Sequence, residues 1–174
     1  KALVISDIHG DVEHLEQALK QYNKESASRL LILGTSAGYF STISDDEVAK
    51  LLNKYSKEIS AVRGNCDNDR IEELLQFALL DIRHINLNGK VITLTHGHLY
   101  DKYHLPDYCG DIFLSGHTHY GMITKQNGKI FANPGSISRP RNGSERTYLL
   151  IDENKIYLKS LEGEILLEES YTCE

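Results

Sequence analysis

Four short segments of this chain carry side chains that together could hold metal ions: Asp7-Ile8-His9, Gly64-Asn65-Cys66-Asp67, Thr95-His96-Gly97-His98 and Gly116-His117-Thr118-His119. Imidazole nitrogens mixed with carboxylate and amide oxygens suit Mn, Fe, Zn or Co, whereas Mg and Ca sites are built mainly from oxygen. In Asp7-x-His9 and His117-x-His119 the spacing of two, on an extended chain, sends both side chains to one face and Ile8 or Thr118 to the other. One such pair alone is a weak signal, because polar loops of this composition are common without a ligand. Glycine beside His9, Asn65, His96 and His117 permits tight turns and close backbone approach at all four segments.

Each segment directly follows an apolar or β-branched run that reads as a buried strand: Ala2–Ser6, Ile59–Val62, Val91–Thr95 and Ile112–Ser115. In open α/β sheets, ligands gather where such strands end. Leu15, Ala18, Leu19 and Tyr22 recur at helical spacing and predict a helix over Val12–Tyr22, followed by a strand at Leu30–Leu33 that ends at Gly34. The Ser44-Asp45-Asp46-Glu47 capping-box pattern starts a second helix ahead of Val48, Leu51 and Leu52, and a third is expected around Ile71–Phe77. The second half is strand-rich, with Asn88-Gly89 and Asn127-Gly128 as type I′ hairpin turns. Met122–Thr124, Ile130–Ala132, Thr147–Ile151 and Ile156–Leu161 read as a meander. No linker or repeat divides the chain, so residues 1–174 are expected to form one α/β domain in which two facing sheets carry helices outside.

Composition narrows the function. The chain has 174 residues, 40% of them hydrophobic, and no run approaches the roughly 20 apolar residues of a membrane span. Its formal net charge of −6 argues against a protein that wraps nucleic acid through its bulk field. A small phosphorylated substrate fits, because a metal site supplies its own positive charge. The N-terminus shows no secretory pattern, which predicts a cytoplasmic protein. Cys66, Cys109 and Cys173 are too few and too scattered for a disulfide framework or a paired-cysteine zinc site, and are expected as free thiols. His14, His84 and His104 read as surface or packing residues. Whether the chain forms a homo-oligomer stays open.

With these segments and Asn133-Pro134-Gly135-Ser136, the chain resembles the calcineurin-like metallophosphoesterases, whose pattern is D-x-H, G-D, G-N, H and G-H-x-H. Within that superfamily it is similar to the small YfcE-type bacterial phosphodiesterases, over nearly its whole length. The resemblance implies a four-layer α/β/β/α sandwich of two facing mixed sheets. It also implies two divalent transition-metal ions, usually Mn, with Zn, Fe, Co or Ni as alternatives. Asp7, His9 and His119 would hold the first ion, and Asn65, His96 and His117 the second. The implied reaction is in-line attack on phosphorus by a hydroxide held between the metals, making the chain a phosphodiesterase or phosphomonoesterase for small esters. Many relatives carry His where Cys66 stands, so His98 becomes the candidate general acid, while Cys66 is expected to point away from the metals. Asn65 counts as catalytic as well as ligating. Asp67 would orient a ligand or cap a helix, and Arg139, Arg141 and Asn142 would either approach the substrate phosphate or form a solvated loop.

One position departs from the family pattern. The bridging Asp belongs directly after the glycine that ends the second strand, but Gly34 is followed by Thr35-Ser36-Ala37-Gly38. Two divalent ions at the roughly 3.5–4 Å of a two-metal site repel strongly, and Asp7 would be the one charged ligand facing them. A loop segment carrying the Asp and missing between Gly34 and Ser44 is the expected explanation. The alternatives are a mononuclear hydrolase, or a protein-interaction scaffold of this fold with impaired catalysis.

Overall fold

The structure, a computed structural model, describes residues 1–36 and 42–171; Ala37, Gly38 and Cys173 lie outside the described residues. In chain order the elements are β1 (Ala2–Ile5), α1 (Val12–Lys24), β2 (Arg29–Leu33), α2 (Thr42–Asn53), β3 (Ile59–Val62), α3 (Asp69–Leu74), β4 (Leu79–Leu80), β5 (Ile82–Leu87), β6 (Lys90–Thr95), β7 (Ile112–Leu114), β8 (Gly121–Gln126), β9 (Lys129–Pro134), β10 (Thr147–Ile151), β11 (Lys155–Ser160) and β12 (Ile165–Ser170).

Strand β1 is apolar at every position because both its faces are covered. Leu3 and Ile5 pack under the helices, whereas Ala2 and Val4 face a second sheet. β2 and β3 alternate in the same way, with Leu30, Ile32 and Ala61 on the helix side and Leu31, Leu33 and Val62 between the sheets. Helix α1 supplies Leu15, Ala18, Leu19 and Tyr22 to the first core, one stripe of an otherwise polar helix, and begins at Asp11, whose carboxylate accepts the His14 N–H.

One sheet has the order β12-β11-β10-β1-β2-β3-β4, the other β5-β6-β7-β9-β8. β1 to β4 run parallel, with β10 antiparallel beside β1. In the second sheet β6, β7 and β9 run parallel, and the hairpins β5–β6 and β8–β9 flank them. Both hairpins turn on the expected pairs: φ is positive at Asn88 and Gly89 (55° and 74°) and at Asn127 and Gly128 (52° and 77°).

The two facing mixed sheets are as expected, with three differences of detail. The four strands expected as a meander divide between the sheets, because β9 pairs with β7 and β10 with β1. Strand β12 has no signal in the sequence, since Ile165, Leu166 and Leu167 are all exposed and lack buried alternation. Helix α2 begins at Thr42, two residues before the capping-box pattern, so Ser44 lies in its first turn and faces Gly10 instead of capping. All three helices of the described residues pack on the seven-stranded sheet. On the outer face of the five-stranded sheet the cover is the irregular segment 96–111: the Gly110 N–H donates to Thr93 Oγ1 and the Tyr108 ring packs edge-on against His84.

Candidate metal centre

The segments after β1, β2, β3 and β7 line one cavity of about 460 Å³, and His96, after β6, is buried behind it. Asp7 and His9 follow β1, Asn65 follows β3, His96 follows β6, and His117 and His119 follow β7, so the two sheets contribute jointly. The expected extended geometry of the two-residue spacings is replaced by left-handed backbone: φ is 54° at Asp7, 51° at His9, 69° at His117 and 60° at His119. A non-glycine residue in that region costs on the order of 1 kcal/mol or more, and such strain concentrates at functional sites. Tight backbone bonds hold it here, from the Asp7 N–H to Gly34 O (3.1 Å), from the His9 N–H to Thr35 O (2.9 Å) and from the Thr118 N–H to Gly116 O (2.8 Å).

Asp7 Oδ1 is the focus. It lies 3.3 Å from His119 Nε2 and 3.9 Å from both His9 Nε2 and His96 Nε2. The His119 Nδ1–H donates to Arg139 O (2.8 Å) and the His96 Nδ1–H to Leu33 O (2.6 Å). A carbonyl can only accept, so both Nε2 atoms are left with lone pairs. His119 Nε2 faces His9 Nε2 at 3.2 Å, and His96 Nε2 faces Asn65 Oδ1 at 3.0 Å. His9 Nδ1 is buried without a partner among the described residues. If His9 Nε2 carries the proton, Nδ1 is an unpaired buried acceptor; if Nδ1 carries it, two lone pairs confront each other. A cation among Asp7, His9 and His119 removes the conflict, and the three ligand atoms lie within 4.8 Å of one another. The donor set therefore fits a divalent transition metal.

Electrostatics agree with this geometry. Burial alone would raise the Asp7 carboxyl, but the adjoining His119 and His96 imidazoles and the Ser6 hydroxyl together hold it below its ordinary value, so it is ionised. Burial pushes the His9 imidazole down to about 4, against the pull of Asp7, so it is neutral and able to ligate.

Several supporting residues carried no sequence signal. Ser6 Oγ lies 2.7 Å from Asp7 Oδ2, which also accepts the His117 N–H (3.0 Å), and Ser36 Oγ lies 3.3 Å from Asp7 Oδ1. The hydroxyls of Ser136 and Ser138 donate to Asp7 O at 2.8 and 2.9 Å. The Asn133 amide donates to Gly116 O (2.8 Å) and Thr118 Oγ1 (3.1 Å), which gives the N-P-G-S segment its role as a brace under the His117 turn. Gly116 is required by space: an added Cβ would overlap Ser6 Oγ and stand 3.0 Å from Asp7 Oδ2. Gly116→Ala should therefore weaken Mn binding by about 10- to 100-fold, as measured by calorimetric titration, while circular dichroism shows a retained fold. Wild-type affinity in that variant would mean that the Ser6–Asp7 contact is dispensable.

In the given sequence Gly34 is followed directly by Thr35, and residues 37–41 of the loop expected to carry the Asp lie outside the described residues. Thr35 is fully buried and turns away from Asp7: its hydroxyl and its N–H both donate to the Asp67 carboxylate, which also accepts the Gly64 N–H. Asp67 thus locks the β2 and β3 ends together, and Asn68 caps α3. Among the described residues of this loop, Ser36 reaches the cavity.

The remaining predicted residues divide. His117 lines the cavity and packs against His96 with centroids 5.1 Å apart. His98 is exposed and stacks edge-on against His96 at 5.3 Å, outside the cavity lining. Cys66, expected to point away, lines the cavity, its thiol pushed up by burial and by the Asp67 and Asp7 charges. Arg139 and Arg141 line it too. His14 pairs with Asp11 and His84 with Thr93, neither of them in the cavity lining, and His104 is exposed. Cys66 and Cys109 are free thiols. No helix among the described residues is long and apolar enough to cross a membrane.

A family model described as the Calcineurin-like phosphoesterase superfamily domain matches residues 1–155. The chain is 32% identical over 178 aligned residues to Phosphodiesterase YfcE of Escherichia coli K12, covering 97% of this chain and 96% of that protein. Its fold superposes on the solved structure of YfcE, a phosphoesterase from E. coli, with a TM-score of 0.89, 27% identity and coverage of 98% and 99%. The structure of vacuolar protein sorting 29 from Cryptosporidium parvum is alike in fold, with a TM-score of 0.71, 19% identity and coverage of 97% of each chain. The ligand-bearing strand ends, the two-sheet architecture and the match over residues 1–155 place this chain in the calcineurin-like phosphoesterase superfamily.

Proposed function

We propose that the protein is a metal-dependent phosphoesterase that hydrolyses small phosphate esters in the cavity at the strand ends. The observation that carries this reading is the convergence of Asp7 Oδ1, His9 Nε2 and His119 Nε2 beside the second group of Asn65, His96 and His117. Asp7, His9 and His119 would hold one divalent transition-metal ion and Asn65, His96 and His117 a second, Mn by preference, which would supply positive charge for the phosphoryl oxygens and lower the pKa of water. Asp7 neutralises part of that charge, and the Leu33 and Arg139 carbonyls keep His96 and His119 in the ligating tautomer. Asn65 presents its carboxamide to the same cavity, where it both ligates and positions a phosphoryl oxygen. We assign His98, stacked on His96 and 6.3 Å from the His117 ring, to the leaving-group side as proton donor.

The test is hydrolysis of bis-p-nitrophenyl phosphate and p-nitrophenyl phosphate with added Mn. Turnover above the metal-only blank is expected, with loss in chelator and recovery on adding Mn back. Thr35 in place of a carboxylate favours a second reading, a phosphoesterase-fold scaffold for protein interactions. Absence of turnover with Mn, Co, Ni and Zn would select it.

A further inference from the structure

The strand-end cavity is unevenly charged. Among the described residues that line it, Asp7 is the one acid, while Arg139 and Arg141 bring two positive charges. Asp67, the carboxylate nearest behind Thr35, is turned onto the Thr35 and Gly64 amides and does not line the cavity.

The two arginines are not carried on a loose loop. The Arg139 N–H donates to Ser136 Oγ (2.8 Å), and Ser136 Oγ in turn donates to Asp7 O. Arg139 O accepts the His119 Nδ1–H, and the Arg141 N–H donates to His119 O (3.1 Å). Two bonds from Ser144 to Arg141 O close the far side. The backbone of both arginines is thereby indexed to the residues that present the ligand atoms. Both arginine side chains line the cavity together with His9 and His117, which stand for the two halves of the centre.

Resting on the phosphoesterase reading, we propose that Arg139 and Arg141 form an anion clamp across the mouth of the metal centre. It grips the non-bridging oxygens of the substrate phosphoryl group and selects phosphomonoester dianions over phosphodiester monoanions. Guanidinium groups match phosphate oxygens in geometry, and bonds between two charged partners are the strong ones. A diester offers two non-bridging oxygens sharing one charge. A monoester offers three sharing two, which answers better to a cavity with a single carboxylate and two guanidiniums. The unfilled bridging position adds to this preference, since each carboxylate a two-metal centre lacks leaves one more positive charge for the substrate to meet.

The experiment pairs kinetics with binding. In Arg139→Ala and Arg141→Ala the KM for p-nitrophenyl phosphate should rise about tenfold or more, and that for bis-p-nitrophenyl phosphate by clearly less, while Mn affinity by calorimetry stays at the wild-type value. Arg→Lys at either position should recover part of the loss. Titration of inorganic phosphate into chelator-treated and Mn-loaded protein provides a readout independent of turnover, and the double alanine variant should weaken phosphate binding in both states. Unchanged phosphate affinity in that variant would overturn the clamp, and equal KM changes for the two esters would overturn the selectivity. A protein inactive on both esters sinks the hydrolase reading alone, because the phosphate titration still decides the clamp.

Discussion

Asp7→Asn is expected to weaken Mn binding at least about 100-fold and to reduce ester hydrolysis by a similar factor or more, a larger effect than loss of any outer partner of a ligand. Among the described residues Asp7 is the one carboxylate lining the cavity, and its Oδ1 stands between both proposed ligand groups, 3.3 Å from His119 Nε2 and 3.9 Å from His9 and His96 Nε2. Asparagine keeps the shape and the contacts to Ser6 and the His117 N–H but removes the charge. Burial disfavours the ionised form, but the contacts of Asp7 more than offset that penalty and hold its carboxyl below the ordinary value, so the charge stabilises the fold and the metal-free variant should melt somewhat lower than the wild type. Metal affinity is therefore predicted to fall far more than metal-free thermal stability. The measurement is calorimetric titration with Mn alongside melting of chelator-treated protein, and a dissociation constant within about threefold of wild type would show that another group supplies the charge.

The sequence made much of this centre visible, for a physical reason. Metal ligands come from a few residue types, and the candidates here sit shortly after strands that are largely apolar or β-branched, so Asp7, His9, Asn65, His96, His117 and His119 stand out against Ala2–Ile5, Ile59–Val62, Lys90–Thr95 and Ile112–Leu114. Their backbone was not legible, because nothing in Asp-x-His says whether the chain is extended or left-handed; the bonds to Gly34 O and Thr35 O decide it, and these come from another strand. Ser6, Ser36 and Ser138 were invisible because serine is common in loops and acts here only through contact with Asp7. The placement of Arg139 and Arg141 on the cavity wall depends on how the segment after β9 returns to Asp7 O through Ser136 and Ser138. The division of β8 to β11 between two sheets was hidden for a similar reason. Alternation shows that a strand has a buried face, and not which sheet it joins.

Ser36→Asp, not Thr35→Asp, is expected to convert the centre from one tightly held ion to two. Thr35 follows Gly34 at the position of the family's bridging carboxylate, but its side chain is committed to Asp67, and a carboxylate there would meet the Asp67 carboxylate in a fully buried place. Thr35→Asp should thus lower the melting temperature and gain no ion, and Asp67→Asn should relieve part of that loss. Ser36 lines the cavity with its hydroxyl 3.3 Å from Asp7 Oδ1, and its φ of 53° is one that aspartate tolerates better than most residues. Without metal, the introduced carboxylate would repel Asp7 and destabilise the fold; with metal, the two carboxylates would share the charge of both ions. The sign follows by linkage, with a lower melting temperature in chelator, a larger rise on adding Mn, and the difference equal to the gain in binding. In the wild type, metal analysis should give about one tight ion, at Asp7, His9 and His119, with Asn65, His96 and His117 filling when phosphate supplies the missing negative charge. Two ions held tightly by the wild-type chain in phosphate-free buffer would refute this charge argument. An unchanged stoichiometry in Ser36→Asp, with the fold intact, would show that the loop does not bring residue 36 between the two ligand groups.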